Sequence, residues 1–183
     1  MLRRLFFEKG SFWLVLCSAA VFGALLGLLC RHEVTISLLA GGFAHSFPGN
    51  FSADALAKAV LWQMLPLLIM YYSAYGVLVR PTCLAVLALR GVLCGYNCLL
   101  FCRCTEFSHP ISILLLCLFL LFEGLTLSLH ASFAHLASSF SIAVRKGKGR
   151  NSALRFTGDL LFFYGLILFL YILRGCIVAL MNS

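Results

Sequence analysis

The chain of 183 residues is 62% hydrophobic and only 11% charged, with a mean hydropathy of +1.02, where soluble domains are about a quarter charged. Polar side chains are too few to cover a water-facing surface, so the composition predicts an integral membrane protein built as one helical domain over residues 1–183. The net charge of +8 does not point to nucleic acid, because the basic residues gather in short groups beside apolar runs, the pattern that sets membrane topology.

The first apolar run, Phe12 to Cys30, follows the basic start "MLRRLFFEKG". A cleavable signal has an apolar region of about 7 to 15 residues and small residues at the cleavage site. This run is longer and meets Arg31, so a retained span over 12–30 is expected. The "GLLC" before Arg31 has a large Leu29 where a lipoprotein site would place a small residue. The loop Arg31 to Lys58 holds "VTISLLAGGFA", too short to cross and either re-entrant or interfacial, then the turn-rich "HSFPGNFSADA". Asn50-Phe51-Ser52 matches a glycosylation sequon, a three-residue pattern that recurs by chance.

Crossing about 30 Å of hydrocarbon takes roughly 20 helical residues. Spans are expected over 59–79, stopped by Arg80-Pro81, and over 82–102, ended by "RCTEFSHP". A fourth begins at Ile111, and its apolar character persists to Val144, too long for one simple crossing and too short for two. The crossing is placed at 111–130, with 131–144 either a helix extension or an interfacial helix. The last span is expected over 160–180. The fold class is therefore an all-α polytopic bundle of about five transmembrane helices, six if 111–144 hides another crossing. With five crossings and a cytoplasmic N-terminus, Arg3, Arg4, Lys9, Arg80, Arg145, Lys146, Lys148, Arg150 and Arg155 face inward, against Arg31, Lys58 and Arg103 outside.

Arg90 interrupts an apolar run, about 12 Å from the inner boundary of the third span, and Glu123 lies at about the same depth in the fourth. A lone arginine at the centre of a span costs about 2.5 to 3.5 kcal/mol, so an opposite charge at equal depth is a reasonable partner. Alternatively Arg90 reaches toward the headgroups and Glu123 is protonated. Arg174 and Asp159 read as boundary residues of the last span. Gly91 and Gly95 form a Gly-x-x-x-Gly pair that Cys94 and Cys98 extend, a small surface on which another helix can approach closely.

The nine cysteines stand mostly inside apolar runs without a repeated Cys-x-x-Cys and read as small hydrophobic residues. Cys94, Cys98 and Cys102 cannot share a zinc ion, because residues eight apart on a helix are about 12 Å apart along its axis. Cys102 and Cys104 lie near the outer surface, where oxidation is the alternative. His130 and His135 are five apart, off one helical face. No nucleophile elbow, His-Glu-x-x-His, phosphate-binding loop or close carboxylate pair is present. No enzymatic activity, metal or cofactor is expected.

The segment "LWQMLPLLIMYYSAYGVLVRPTCLAVLALRGVLCGYNC" resembles the stage II sporulation protein M family of bacterial integral membrane proteins. That family shows a span ending in a Gly-containing turn, often with Pro after it, then an aliphatic span with a basic residue, Gly, and a second Gly four residues on. Gly76, Pro81, Arg90, Gly91 and Gly95 occupy those places. Glu123 in "LLFEGLTLSLHASFAHL" and the basic "RKGKGRNSALRF" match further features of a layout that covers nearly the whole chain through short, apolar motifs. The chain departs from the family in its cysteine richness and in lacking the proline that often interrupts the fourth region.

The resemblance implies a non-enzymatic scaffold of the cell membrane, in the mother-cell engulfing membrane of a spore-forming bacterium. It would organise the peptidoglycan-cleaving stage II sporulation proteins D and P during endospore engulfment, with the loop 31–58 and the helix faces around Gly91 and Gly95 as contact surfaces. A rival reading is the substrate-binding membrane subunit of a vitamin or small-molecule transporter, with Tyr71, Tyr72, Tyr75, Asn97 and Glu123 lining a pocket. The same tyrosines equally suit an interfacial belt. A third reading is a structural membrane protein with no specific partner.

Overall fold

The computed structural model describes residues 17–19, 21–25, 53–104, 110–147 and 149–181. All regular structure among them is α-helical. A short N-terminal helical segment at 17–19 and 21–25 is followed by α1 (Ala53–Ser73), α2 (Val79–Cys104), α3 (Pro110–Arg145) and α4 (Gly149–Met181). The remainder of the expected first span and residues 31–52 of the expected loop 31–58 lie outside the described residues; residues 53–58 of that loop are helical and belong to α1, which starts six residues before the expected span.

The break between α1 and α2 falls earlier than the basic stop at Arg80-Pro81 suggests. α1 ends at Ser73, where its last turn tightens: the Ala74 N–H reaches the Met70 carbonyl at 3.1 Å and the Gly76 N–H reaches the Ser73 carbonyl at 2.9 Å. Pro81 stands in the first turn of α2, where a missing N–H leaves no bond unmade. It therefore helps to start this helix and does not interrupt one. Thr82 closes the first turn with both its N–H and its hydroxyl on the Leu78 carbonyl, at 3.1 and 2.8 Å.

The stretch 110–145 is one unbroken helix of 36 residues, about 54 Å long at 1.5 Å per residue. Its second half is the most enclosed part of the molecule, with Ala131, Phe133, Ala134, Ala137, Ser138, Phe140 and Ser141 all buried. α3 stops at Gly147, whose φ of 76° is the left-handed conformation that ends helices. The Gly147 N–H bonds the Val144 carbonyl at 3.0 Å. α4 then returns along α3, and these two helices share the most extensive interface in the bundle.

Leu67 and Met70 of α1, Cys83 and Leu87 of α2, Phe133 and Ala137 of α3 and Ile167 of α4 are wholly buried between the helices. An aromatic stack joins three of them at the end where α1 turns into α2. Phe156 lies face to face with Phe140 at 4.2 Å, Tyr71 at 5.1 Å and Phe133 at 5.6 Å, and Tyr75 meets Phe140 edge-on at 5.2 Å. Such ring contacts add about 0.5–1.5 kcal/mol each beyond simple burial.

Two helical stretches, Ile113–Arg145 and Ala153–Leu173, are long and apolar enough to cross a membrane. Only 22% and 28% of their most apolar stretches are buried within the chain, and large apolar side chains such as Leu114, Leu121, Leu161 and Phe162 are exposed. The core helix of a water-soluble domain would hide such a surface.

The N-terminal segment meets α2 through Gly23. A methyl group built there would collide with the Ala88 carbonyl oxygen and lie 3.1 Å from the Val92 nitrogen. These are backbone atoms that cannot rotate away, so the close approach needs a glycine. Gly124 on α3 has nothing within 4 Å of the same position. Gly23→Val is expected to destabilise the detergent-solubilised protein by about 1–3 kcal/mol through overpacking, while Gly124→Ala stabilises it by about 0.5–1 kcal/mol. Thermal unfolding of both variants beside the parent checks this contrast.

Candidate functional site

Along α3, Glu123, Thr126, His130, Ala134, Ala137, Ser138 and Ser141 recur at steps of three or four, with Ser138 filling the adjacent place. At 3.6 residues per turn they share one face. Every one of them is buried. The small and hydroxyl side chains of "HASFAHLASSFS" thus form a polar seam inside an otherwise apolar bundle.

α2 lies antiparallel against this seam. Arg80 Nε donates to Ser138 Oγ at 3.3 Å, and the Cys83 thiol points at the Ala134 carbonyl at 3.9 Å. Continuing that register brings Arg90 opposite Leu127, one turn from His130 on one side and one turn from Glu123 on the other. Arg90 and Glu123 are both buried, at 8% and 4% exposure, and the Arg90 charge acts on His130. By that register the two expected ionisable residues stand at neighbouring levels, and His130 is a third buried ionisable group on the same face of α3 as Glu123.

His130 is completely enclosed. Its Nδ1 lies 2.8 Å from the Thr126 carbonyl, which can only accept, so Nδ1 carries the proton and Nε2 of the neutral ring is an acceptor. Among the described residues Nε2 has no hydrogen-bond partner. Thr126 turns its own hydroxyl back onto the Phe122 carbonyl at 2.8 Å, the local arrangement by which a helix hides a threonine.

At the other end of the seam the C-terminus of α3 clamps the α1–α2 turn. Ser141 Oγ donates to the Gly76 carbonyl at 3.3 Å, and Arg145 Nη2 donates to the carbonyls of Gly76 and Val77, each at 3.2 Å. These bonds satisfy carbonyls that neither helix can use. Burial, with the like charge of Arg145 added, pulls the Arg80 guanidinium below its ordinary value. Arg145 therefore has a structural task beyond the topological one that its position in a basic cluster suggests.

The tyrosines divide. Tyr72 is 69% exposed, as a belt residue would be, whereas Tyr71 is half-buried and stacked on Phe156. Thr157 gives its hydroxyl proton to the Ala153 carbonyl at 3.0 Å, so Tyr71 donates to Thr157 at 2.9 Å and Tyr75 donates to Tyr71 at 3.2 Å. Each member of that chain follows from the single proton the one before it has to give.

The small-residue face of α2 is also occupied. Gly91 and Gly95 are buried, and Ala88 and Val92, which Gly23 touches, share their side of the helix. Cys94 stands one turn after Arg90, within reach of its charge and at the border between the two faces. The side chains of Asn97, Cys98, Cys102, Cys104 and Arg174 lie outside the described residues. Asp159 and His135 are half-buried at the bundle surface. No cluster of three or more His, Cys, Asp or Glu able to hold a metal ion occurs among the described residues.

Replacing the His130 ring by an apolar side chain removes one hydrogen bond and one unsatisfied acceptor together, and such paired losses nearly cancel. His130→Leu is expected to stay within about 1 kcal/mol of the parent. His130→Lys, which adds a buried cation in the field of Arg90, should lose about 3 kcal/mol or more. Thermal unfolding in detergent distinguishes the two; an equal loss in both would mean that the ring holds a partner essential to the bundle.

Comparison with known proteins gives no matching family model, no matching curated protein and no matching solved structure.

Proposed function

We propose that this chain is a non-enzymatic membrane scaffold, a polytopic protein of five crossings with its N-terminus in the cytoplasm. The observation that carries the membrane reading is the inversion of the bundle: α3 and α4 leave most of their apolar surface outside, while the charged and hydroxyl side chains of the seam are inside. In a bilayer both arrangements are favourable, because lipid solvates the exterior and buried polar groups join the helices.

A scaffold fits the seam better than a transporter subunit does. Tyr71, one of the side chains that the transporter reading places in a ligand pocket, is bound to Thr157 and stacked against Phe156. Ser138, Ser141 and Arg145 are spent on the neighbouring helix and turn. Polar groups used in this way fix helix positions and do not need a substrate.

The partner class comes from the resemblance to the stage II sporulation protein M family. On that reading the scaffold works in the engulfing membrane and holds the wall-cleaving sporulation proteins D and P through residues 31–52, since the Gly91–Gly95 face is buried within the chain. Arg90 and Glu123 pair across α2 and α3, which lowers the penalty for both charges.

Copurification of the tagged full chain from sporulating cells tests the assignment. Recovery of two wall hydrolases is the expected outcome; a bound vitamin would favour the transporter subunit, and neither would leave a structural membrane protein. The ion pair has its own test. Glu123→Arg is expected to reduce accumulation of folded protein severalfold, and adding Arg90→Glu should restore it. Unchanged accumulation in the single variant would exclude the pair.

A further inference from the structure

His130 is wholly enclosed, and its Nε2 has no hydrogen-bond partner among the described residues. The other ring nitrogen is committed. Nδ1 lies 2.8 Å from the Thr126 carbonyl, so it carries the proton and Nε2 presents a lone pair. The nearest hydroxyl on the same face does not serve that lone pair, because Thr126 gives its proton to the Phe122 carbonyl at 2.8 Å. Ala131, Ala134 and Ala137, which follow along the seam, are buried and have no side-chain donor. Ser138 stands eight residues on, about 12 Å along the axis.

A buried acceptor of this kind is met in native proteins by a protein donor or by an ordered water. Charge narrows the choice here. Arg90 acts electrostatically on the ring, so a metal ion or an ammonium group beside Nε2 would be opposed by like charge. No three His, Cys, Asp or Glu among the described residues gather to hold a metal ion. An unprotonated anion has nothing to donate. A small neutral O–H donor meets both conditions, with a hydrogen toward Nε2 and its negative end toward the guanidinium. Only the charge of Arg90 enters this argument, whichever groups its five N–H donors serve.

We propose that His130 Nε2 marks a binding site for one internal water molecule between α2 and α3, which donates to the ring and is oriented by the charge of Arg90. The site goes beyond the scaffold assignment and needs only the enclosure of the seam. Its water would join the two helices between the Cys83 contact and the level of Glu123.

Nuclear magnetic resonance of the full chain in mild detergent, with isotope-labelled histidine, tests the site. The chain has five histidines, and the His130 ring is identified by the signals that vanish in His130→Leu. If that variant does not fold, replacing the other four, His32, His45, His109 and His135, by glutamine isolates the same signals. The expected result is a proton on Nδ1, an Nε2 resonance moved upfield to the position of a hydrogen-bonded acceptor, and a direct through-space cross-peak from water to His130 Hε1. Thr126→Val, which removes the nearest exchangeable hydroxyl, should leave that cross-peak in place.

An Nε2 resonance at the position of a free acceptor, without a water cross-peak, would overturn the site. So would a proton found on Nε2, or a hydrogen bond to Nε2 from an N–H of the chain itself. Loss of the cross-peak in Thr126→Val would assign it to the threonine hydroxyl and overturn the site equally.

Discussion

The arrangement depends on one requirement: polar groups enclosed in an apolar bundle must be met by another helix. A buried arginine, a buried glutamate, a histidine and two serines on facing helices are tolerable only where α2 and α3 keep their mutual orientation, since rotating α3 by one residue, about 100°, turns the seam toward the exterior. Burial of this kind contributes little net stability, because desolvation offsets most of the attraction. It excludes alternative alignments, and here it does so along a face running from Glu123 to Ser141. Apolar packing alone, with leucines and phenylalanines on every side of α3, would allow many rotations of nearly equal energy.

The aromatic stack does the complementary work. Phe133, Phe140, Phe156 and Tyr71 meet nearly in parallel, tying α1 to the α3–α4 hairpin where the seam gives way to the clamped turn. Polar bonds specify the alignment of α2 with α3, and large rings fill the space among α1, α3 and α4. The Tyr75–Tyr71–Thr157 chain joins the two devices, because its rings belong to the stack while its hydroxyls connect α1 to α4.

Much of this architecture is legible in the amino-acid order, and the illegible parts have physical reasons. The apolar runs separated by "YSAYGVLVRP" and "RKGKG" announce helices and their breaks, since turns need glycine and solvated cations. Arg90 and Glu123 stand out because charges in apolar runs are rare. Ser138 and Ser141 do not, because serine is common on any helix and only the spacing from Glu123 through Thr126 and His130 reveals a shared face. The end of α1 is misleading: proline suggests a stop at Arg80-Pro81, yet proline is as welcome at the beginning of a helix as it is unwelcome inside one. Gly23 could not be recognised as a contact because its partner, the backbone at Ala88, presents no side-chain signature. Whether 131–144 continues α3 or leaves it is decided by the enclosure of its small residues between α2 and α4, a tertiary effect that periodicity does not carry.

The left-handed glycine at the end of α3 has a consequence for how the molecule is made. With Gly147 reversing the chain after Arg145 and α4 starting at Gly149, the two longest helices are joined by so short a connection that their contacts are local along the polypeptide. Local contacts form early and at little entropic expense. The C-terminal hairpin can therefore zip together as a unit and offer α1 and α2 a finished groove, while contacts such as Tyr71 to Thr157, 86 residues apart, close later.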